Sequence, residues 1–266
     1  MRLCIFCDNP RTIKHGEHVW DNWLNREGGK DIRRPSRAFF YGVGGKLVRE
    51  YPTDRLEVTL PVVCDPCNNE WMSDLSNHAK DRLEGCIRRD QPAHFDFHDI
   101  LILTSFFFLK SAVLDWSVES QTRTPCISRA NCLAFRLSLV ADGSDDIALP
   151  LGLQVWIAHY RRTHVMEAQA LIDELTGRGL YRGYRIVLIT YVVGSFIFQL
   201  AFPRWRKRTR NRPAAPFFQM LGDVQSVAIW PGVETAHWPP PAHVDSRSLE
   251  IFRERFRRVT ILNGLS

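Results

Sequence analysis

Two cysteine pairs and the donors beside them carry most of the chemistry open to this chain. Cys4 and Cys7 form one Cys-x-x-Cys pair, and Cys64 and Cys67 form a second. Glu17-His18 stands ten residues beyond the first pair, and Asn68 directly follows the second. Each pair can bend around an ion as a turn, and two such turns complete a tetrahedral zinc shell of four thiolates. A centre of that kind is structural, since it keeps no open position for water or substrate. The harder donors suit a different role. A carboxylate and an amide oxygen fit magnesium or manganese, and a neutral imidazole fits a general base.

The surrounding elements must bring the two pairs together. Residues 1–7 read as a short strand or knuckle presenting the first pair. Adjacent residues on a regular strand face opposite ways, so Glu17 and His18 serve one centre only if the strand ends or bends there. Val19, Trp20, Trp23 and Leu24 have the spacing of one face of a short helical turn. Residues 26–37, with Gly28-Gly29 and Lys30, Arg33, Arg34 and Arg37, read as an exposed basic loop. A hairpin is expected from 39–41 and 46–51 around Gly42-Val43-Gly44-Gly45, which lacks the spacing of a phosphate loop. Residues 55–63 read as a strand feeding the second pair, and 68–87 as a helix turning Trp71, Leu75 and Leu83 inward.

This order of residues resembles the HNH, or ββα-metal, endonucleases, in the cysteine-bearing branch that includes phage junction resolvases. The branch pattern is Cys-x-x-Cys, an acidic residue with His, then Cys-x-x-Cys-Asn; here it reads Cys4-x-x-Cys7, Glu17-His18-Val19-Trp20 and Cys64-x-x-Cys67-Asn68. The likeness covers roughly residues 1–80, less than a third of the chain. It implies that Cys4, Cys7, Cys64 and Cys67 hold structural zinc, that Glu17 and Asn68 hold a catalytic magnesium or manganese ion, and that His18 activates the attacking water. The implied function is a metal-dependent endonuclease hydrolysing phosphodiester bonds in DNA, a chemistry used in bacterial defence, restriction and mobile-element homing. The family's intervening Asn has no counterpart ahead of the second pair, where Leu56-Glu57-Val58-Thr59-Leu60 stands, and Met72 takes the place of a frequent third ligand. Two protein ligands with water and phosphate oxygens are therefore expected for the catalytic ion.

Composition sets the outer bounds. The chain has 266 residues, 45% hydrophobic and 24% charged, which is enough for a sizeable core in one large or two modest domains. With 35 basic against 29 acidic residues, the net charge of +6 favours an anionic partner only mildly. Four of the seven cysteines fall in the metal-like pairs and Cys86, Cys126 and Cys132 are scattered, the usage of a reducing cytoplasm. The motif begins at Cys4, which leaves no room for a signal peptide ahead of it.

The expected fold class is α+β: an N-terminal ββα-metal (HNH) unit with structural zinc over residues 1–90, then a mixed α+β domain over 95–266, beyond Asp90-Gln91-Pro92. In the second part, residues 95–116 read as a buried core helix, because Asp96, Asp99, Lys110 and Asp115 bracket an apolar stretch of only ten residues where a membrane span needs about 20. Residues 132–141 and 151–160 are expected as strands and 165–175 as a helix. The run 186–202 reads as a hairpin of 187–193 with 196–202 about Gly194-Ser195, a membrane anchor being the competing reading. Arg204, Arg206, Lys207, Arg208, Arg210 and Arg212, with Trp205 among them, either contact phosphates and stack on a base or form a solvated loop. Residues 249–259 read as a basic terminal helix. His78 reads as a solvated helix residue and His94 with His98 as an exposed pair. No stable membrane association is expected. The competing function is a non-catalytic zinc-dependent nucleic-acid or protein-binding module, in which the cysteines form a zinc ribbon and Glu17-His18 is incidental.

Overall fold

The computed structural model describes residues 3–10, 17–18, 21, 23, 36–41, 47–53, 59–117, 125, 127–140, 147–161, 168–176, 184–205, 225–245 and 248–249. Its architecture is mixed α+β, with two compact units interleaved along the chain. The first takes residues 1–37, 52–84 and 101–150, and the second takes 38–51, 85–100 and 151–266. The segments 19–20, 24–35 and 250–266 lie outside the described residues, and with them most of the expected helical turn, the basic loop and the terminal helix.

In the first unit the two-residue strand β1 (Glu17–His18) pairs antiparallel with β4 (Thr59–Leu60), Glu17 opposite Leu60 and His18 opposite Thr59. A short helix α1 (Asp65–Asn69) follows, breaks at Glu70, where the backbone leaves the helical region, and gives way to α2 (Trp71–Arg89). The expected helix thus starts three residues early and is split. Pro66 in the first turn of α1 fits a position where the missing N–H costs nothing. Phe6 meets Trp71 edge-on at 5.2 Å between ring centres, and Phe108 meets Phe135 at 4.8 Å. Leu75, Ala79 and Leu83 bury the inner face of α2.

Helix α3 (Phe97–Ser117) is apolar on nearly every side, the pattern of a helix surrounded by protein. By length and composition it could cross a membrane, yet 78% of its apolar stretch is buried inside the protein. Its two interior charges are both used. Asp115 Oδ2 accepts the Ile127 N–H at 2.7 Å, and Lys110 reaches the site described below. The expected strand at 132–141 is instead helix α4 (Arg129–Val140). Ser128 Oγ accepts the Asn131 N–H at 3.1 Å, a helix N-cap, and Cys132 and Phe135 bury one face at a spacing of three. The composition agrees with them, since Ala130, Leu133, Ala134, Leu137 and Leu139 favour a helix and Val140 is the segment's one β-branched residue.

The second unit is built on an eight-stranded sheet, ordered β10-β6-β9-β8-β7-β2-β3, with β12 parallel beside β6. The strands are β2 (Ser36–Tyr41), β3 (Leu47–Thr53), β6 (Gln154–Tyr160), β7 (Ala168–Thr176), β8 (Tyr184–Val193), β9 (Phe196–Trp205), β10 (Ser226–Trp230) and β12 (His243–Val244). A separate pair joins β5 (Ala93–Phe95) to β11 (Ala236–Trp238). The hairpin expected at 187–202 is β8–β9, with Val193 opposite Phe196 around Gly194-Ser195. Gly194 has φ +56, and a Cβ there would meet the Ile87 carbonyl oxygen at 2.5 Å, so glycine is required. Inside the hairpin, buried Gln199 donates to Thr190 Oγ1 at 2.9 Å, and Tyr191 stacks on Phe198. The expected helix at 165–175 is instead strand β7. Its nine residues pair with β8, and Phe40 and Tyr41 of β2 pair on its other side, so partners on both edges override a helix-favouring composition.

Candidate metal centre and the cavity beside it

The first cysteine pair sits in a tight knuckle. Leu3 bridges Pro10, the Cys4 N–H donates to the Asn9 carbonyl at 2.9 Å, and the Phe6 N–H points at Cys4 Sγ at 3.4 Å. The Ile5 N–H donates to the Val62 carbonyl at 3.1 Å, which draws this knuckle onto the chain just ahead of Cys64. Cys64 is extended as it enters α1, and Cys67 lies in that helix. All four sulfurs are buried and lie within 4.8 Å of one another. Cys7 Sγ is 3.4 Å from Cys64 Sγ and 3.6 Å from Cys67 Sγ. Sulfurs about 2.3 Å from a tetrahedral zinc are roughly 3.8 Å apart, whereas a disulfide brings them to about 2 Å. The cluster can therefore hold a metal ion such as zinc.

The thiols share charge unevenly. Hydrogen bonding from Cys67 brings Cys4 down to about 5, while burial pushes Cys7 up to about 11. Cys67 is pushed up as well, first by its bond to Cys4 and then by burial. Several thiolates this close and this buried need a cation to ionise together. Arg129, at the start of α4, fastens the knuckle from outside: its Nη2 donates to the Cys7 carbonyl and to Asp8 Oδ1, each at 2.8 Å, and to the Cys4 carbonyl at 3.3 Å. Nothing in the sequence near the cysteines announces Arg129.

Beside this centre lies a polar cavity of about 470 Å³, lined by Glu17, His18 and Asp21, by Asn68 and Asn69, and by residues of α2. β1 ends at His18, which allows both neighbours of the Glu-His step to line it. Asn68 reaches it from α1, the residue after Cys67. Ser73, Ser76, Asn77 and Lys80 supply one face of α2, at the i, i+3, i+4, i+7 spacing of a helical stripe. Met72, at the place of the family's third ligand, is buried in the wall.

Lys110 is the residue that sequence reasoning missed. Its Nζ donates to Glu17 Oε1 at 2.5 Å, to Asp21 Oδ1 at 2.7 Å and to the His18 carbonyl at 3.1 Å. Lys110 is 3% exposed, Glu17 7% and Asp21 8%. Burial alone would lower the Lys110 pKa, but Asp21 and Glu17 overcome it and hold the ammonium charged. Glu17 is itself pushed up by burial, against the pull of Lys110. Among the described residues, three buried atoms on this cavity that could donate a lone pair have no hydrogen-bond partner: His18 Nδ1, Asp21 Oδ2 and Asn68 Oδ1. Buried polar atoms are nearly always paired, so such a set points to a ligand. One carboxylate oxygen, one amide oxygen and one imidazole nitrogen are donors that a divalent cation takes.

Of the other sequence candidates, His78 and His98 are exposed. His94 faces His237 across β5–β11, Nδ1 to Nδ1 at 3.4 Å. Arg204 is placed on β9 opposite Arg185; Arg206, Lys207, Arg208, Arg210 and Arg212 lie outside the described residues, as does Cys126. No protein-family model, curated protein or solved structure matches this chain.

Proposed function

We propose that the chain is a metal-dependent endonuclease acting on DNA, with zinc in the cysteine centre and magnesium or manganese in the adjoining cavity. The observation that carries this reading is the meeting of His18 Nδ1, Asn68 Oδ1 and Asp21 Oδ2, all buried and without a partner among the described residues, on one polar cavity beside four clustered cysteines. His18 takes a proton from water as the water attacks phosphorus, and its buried Nδ1 has no partner among the described residues. Asn68 and a carboxylate, Glu17 in the family pattern, would hold a divalent ion, which when bound would supply positive charge for the phosphate and the leaving 3′ oxygen. Ser73, Ser76, Asn77 and Lys80 offer donors along α2 for the phosphodiester backbone. A reducing cytoplasm suits the four free thiols.

A second reading, a zinc-dependent binding module without catalysis, draws on the engagement of Glu17 by Lys110, which spends part of the carboxylate charge the resemblance assigns to the ion. Supercoiled plasmid separates the two. Zinc-loaded wild-type protein is expected to nick it with magnesium or manganese, while His18→Ala, equally folded and zinc-loaded, does not. Cleavage by His18→Ala at the wild-type rate would remove His18 from the mechanism, and absence of cleavage by both would favour the binding module.

A further inference from the structure

We propose that Asp21, not Glu17, is the carboxylate that ligates the divalent ion in this cavity, and that Glu17 serves to anchor Lys110. The inference rests on the metal-site part of the reading above and departs from the residue the family pattern names. An ammonium has three N–H donors, and acceptors for all three are present: Glu17 Oε1, Asp21 Oδ1 and the His18 carbonyl. Two carboxylates and one ammonium leave one net negative charge in the interior. Each carboxylate meets Lys110 through one oxygen, and the second oxygen of Asp21, Oδ2, is buried with no partner among the described residues.

That geometry makes Asp21 a bridging group, one oxygen fixed by an ammonium and the other free for a cation. Hydrogen bonding of a ligating carboxylate by a neighbouring donor is the usual way its orientation is fixed. Asn68 Oδ1 is the other buried oxygen on the cavity without a partner among the described residues. Two protein oxygens with water completing the shell is a normal arrangement for magnesium. His18 Nδ1 is then left for the proton. Lys110, lying 89 residues from Asp21 in the chain, acts as a positioning residue that orients the ligand.

The test is Mn²⁺ titrated into full-length, zinc-loaded protein, with free Mn²⁺ read from its EPR signal and folding checked by circular dichroism and zinc content. Wild type is expected to bind one Mn²⁺ in competition with Mg²⁺. Asp21→Asn, which keeps the shape and removes the charge, is expected to weaken Mn²⁺ binding by about tenfold or more, and by more than Glu17→Gln, which only loosens the anchor of Lys110. The reverse order assigns the ion to Glu17 and overturns the proposal; so does equal binding by Asp21→Asn and wild type, or no Mn²⁺ bound by wild type. Should Asp21→Asn not fold, Fe²⁺ with ascorbate and peroxide is applied to wild type, and the chain is expected to be cut around residues 21–23 and 68–72, with excess Mg²⁺ protecting. Cuts elsewhere, or none, overturn the assignment. Plasmid nicking is scored separately. Nicking that needs His18 while Mn²⁺ ignores Asp21 sinks this inference alone, whereas an Asp21-dependent Mn²⁺ site without nicking upholds it and sinks the nuclease.

Discussion

Lys110→Met removes an ammonium from a buried three-charge group while keeping the length of the side chain. In wild type the ammonium stands 2.5 and 2.7 Å from its two carboxylate oxygens, which are therefore no more than about 5 Å apart. At an effective dielectric constant near 20, each attraction is worth roughly 6–7 kcal/mol and the repulsion between the carboxylates at least about 3 kcal/mol. The variant loses both attractions and keeps the repulsion, but regains the several kcal/mol spent on desolvating the ammonium. A net loss of about 3–5 kcal/mol at neutral pH is expected, the range for removing one partner of a buried ion pair. The loss depends on pH. Burial already holds Glu17 above the usual carboxylate range, and without Lys110 it rises further. A carboxyl whose pKa is higher folded than unfolded contributes stability that is present below the unfolded pKa and fades as pH climbs through the folded one. The gap between wild type and variant should therefore widen from pH 5.5 to pH 8. Urea unfolding followed by tryptophan fluorescence, on zinc-loaded proteins at several pH values, measures it. A loss under about 1 kcal/mol, or a gap that does not change with pH, would refute a buried, charge-bearing Lys110.

Three further outcomes follow from other parts of the molecule. Cys64→Ser should drop bound zinc from one per chain toward none, with loss of the Phe6–Trp71 packing; atomic absorption and near-ultraviolet circular dichroism report both, and a folded, fully loaded variant would contradict a four-thiolate centre. Gly194→Ala places a Cβ 2.5 Å from the Ile87 carbonyl at a left-handed residue, and should cost about 2 kcal/mol or more, read as a Tm lower by about 5 °C; an unchanged Tm would mean that the hairpin turn relaxes freely. Burial, with the Asp90 charge second, pushes the Cys86 thiol up to about 12, so its reactive thiolate appears only as pH approaches that value. Native protein should leave Cys86 unmodified by iodoacetamide at pH 8 and label it in denaturant, whereas mass spectrometry finding rapid native labelling would count against that burial.

The cysteine centre was legible because its spacing is local: two residues between the thiols of a pair suffice to bend a turn around an ion, and only the joining of the two turns needs the fold. The β8–β9 hairpin was legible for the same reason, since Gly194-Ser195 sets the register of the strands on either side. Helix α3 was legible from its apolar run and bracketing charges. Two segments were misread. Residues 168–176 favour a helix by composition, but β8 and β2 take up their backbone groups as a strand; residues 129–140 have the alanine and leucine of a helix and the Ser128 cap, local signals that the strand reading passed over.

In the site, Glu17, His18 and Asn68 could be singled out from their offsets to the cysteines, and the fold places all three on one cavity. What surrounds them could not be read. Lys110 is 93 residues from Glu17 and Arg129 is 125 from Cys4, and no periodicity links positions that far apart. Lys110, directly after the apolar run Phe106-Phe107-Phe108-Leu109, read only as one of the charges that bracket it. That its anionic partners are Glu17 and Asp21, and that one oxygen of Asp21 is left over, was decided by the packing of α3 against β1, because a charge that cannot reach water takes its partner from whatever the tertiary structure brings within 3 Å.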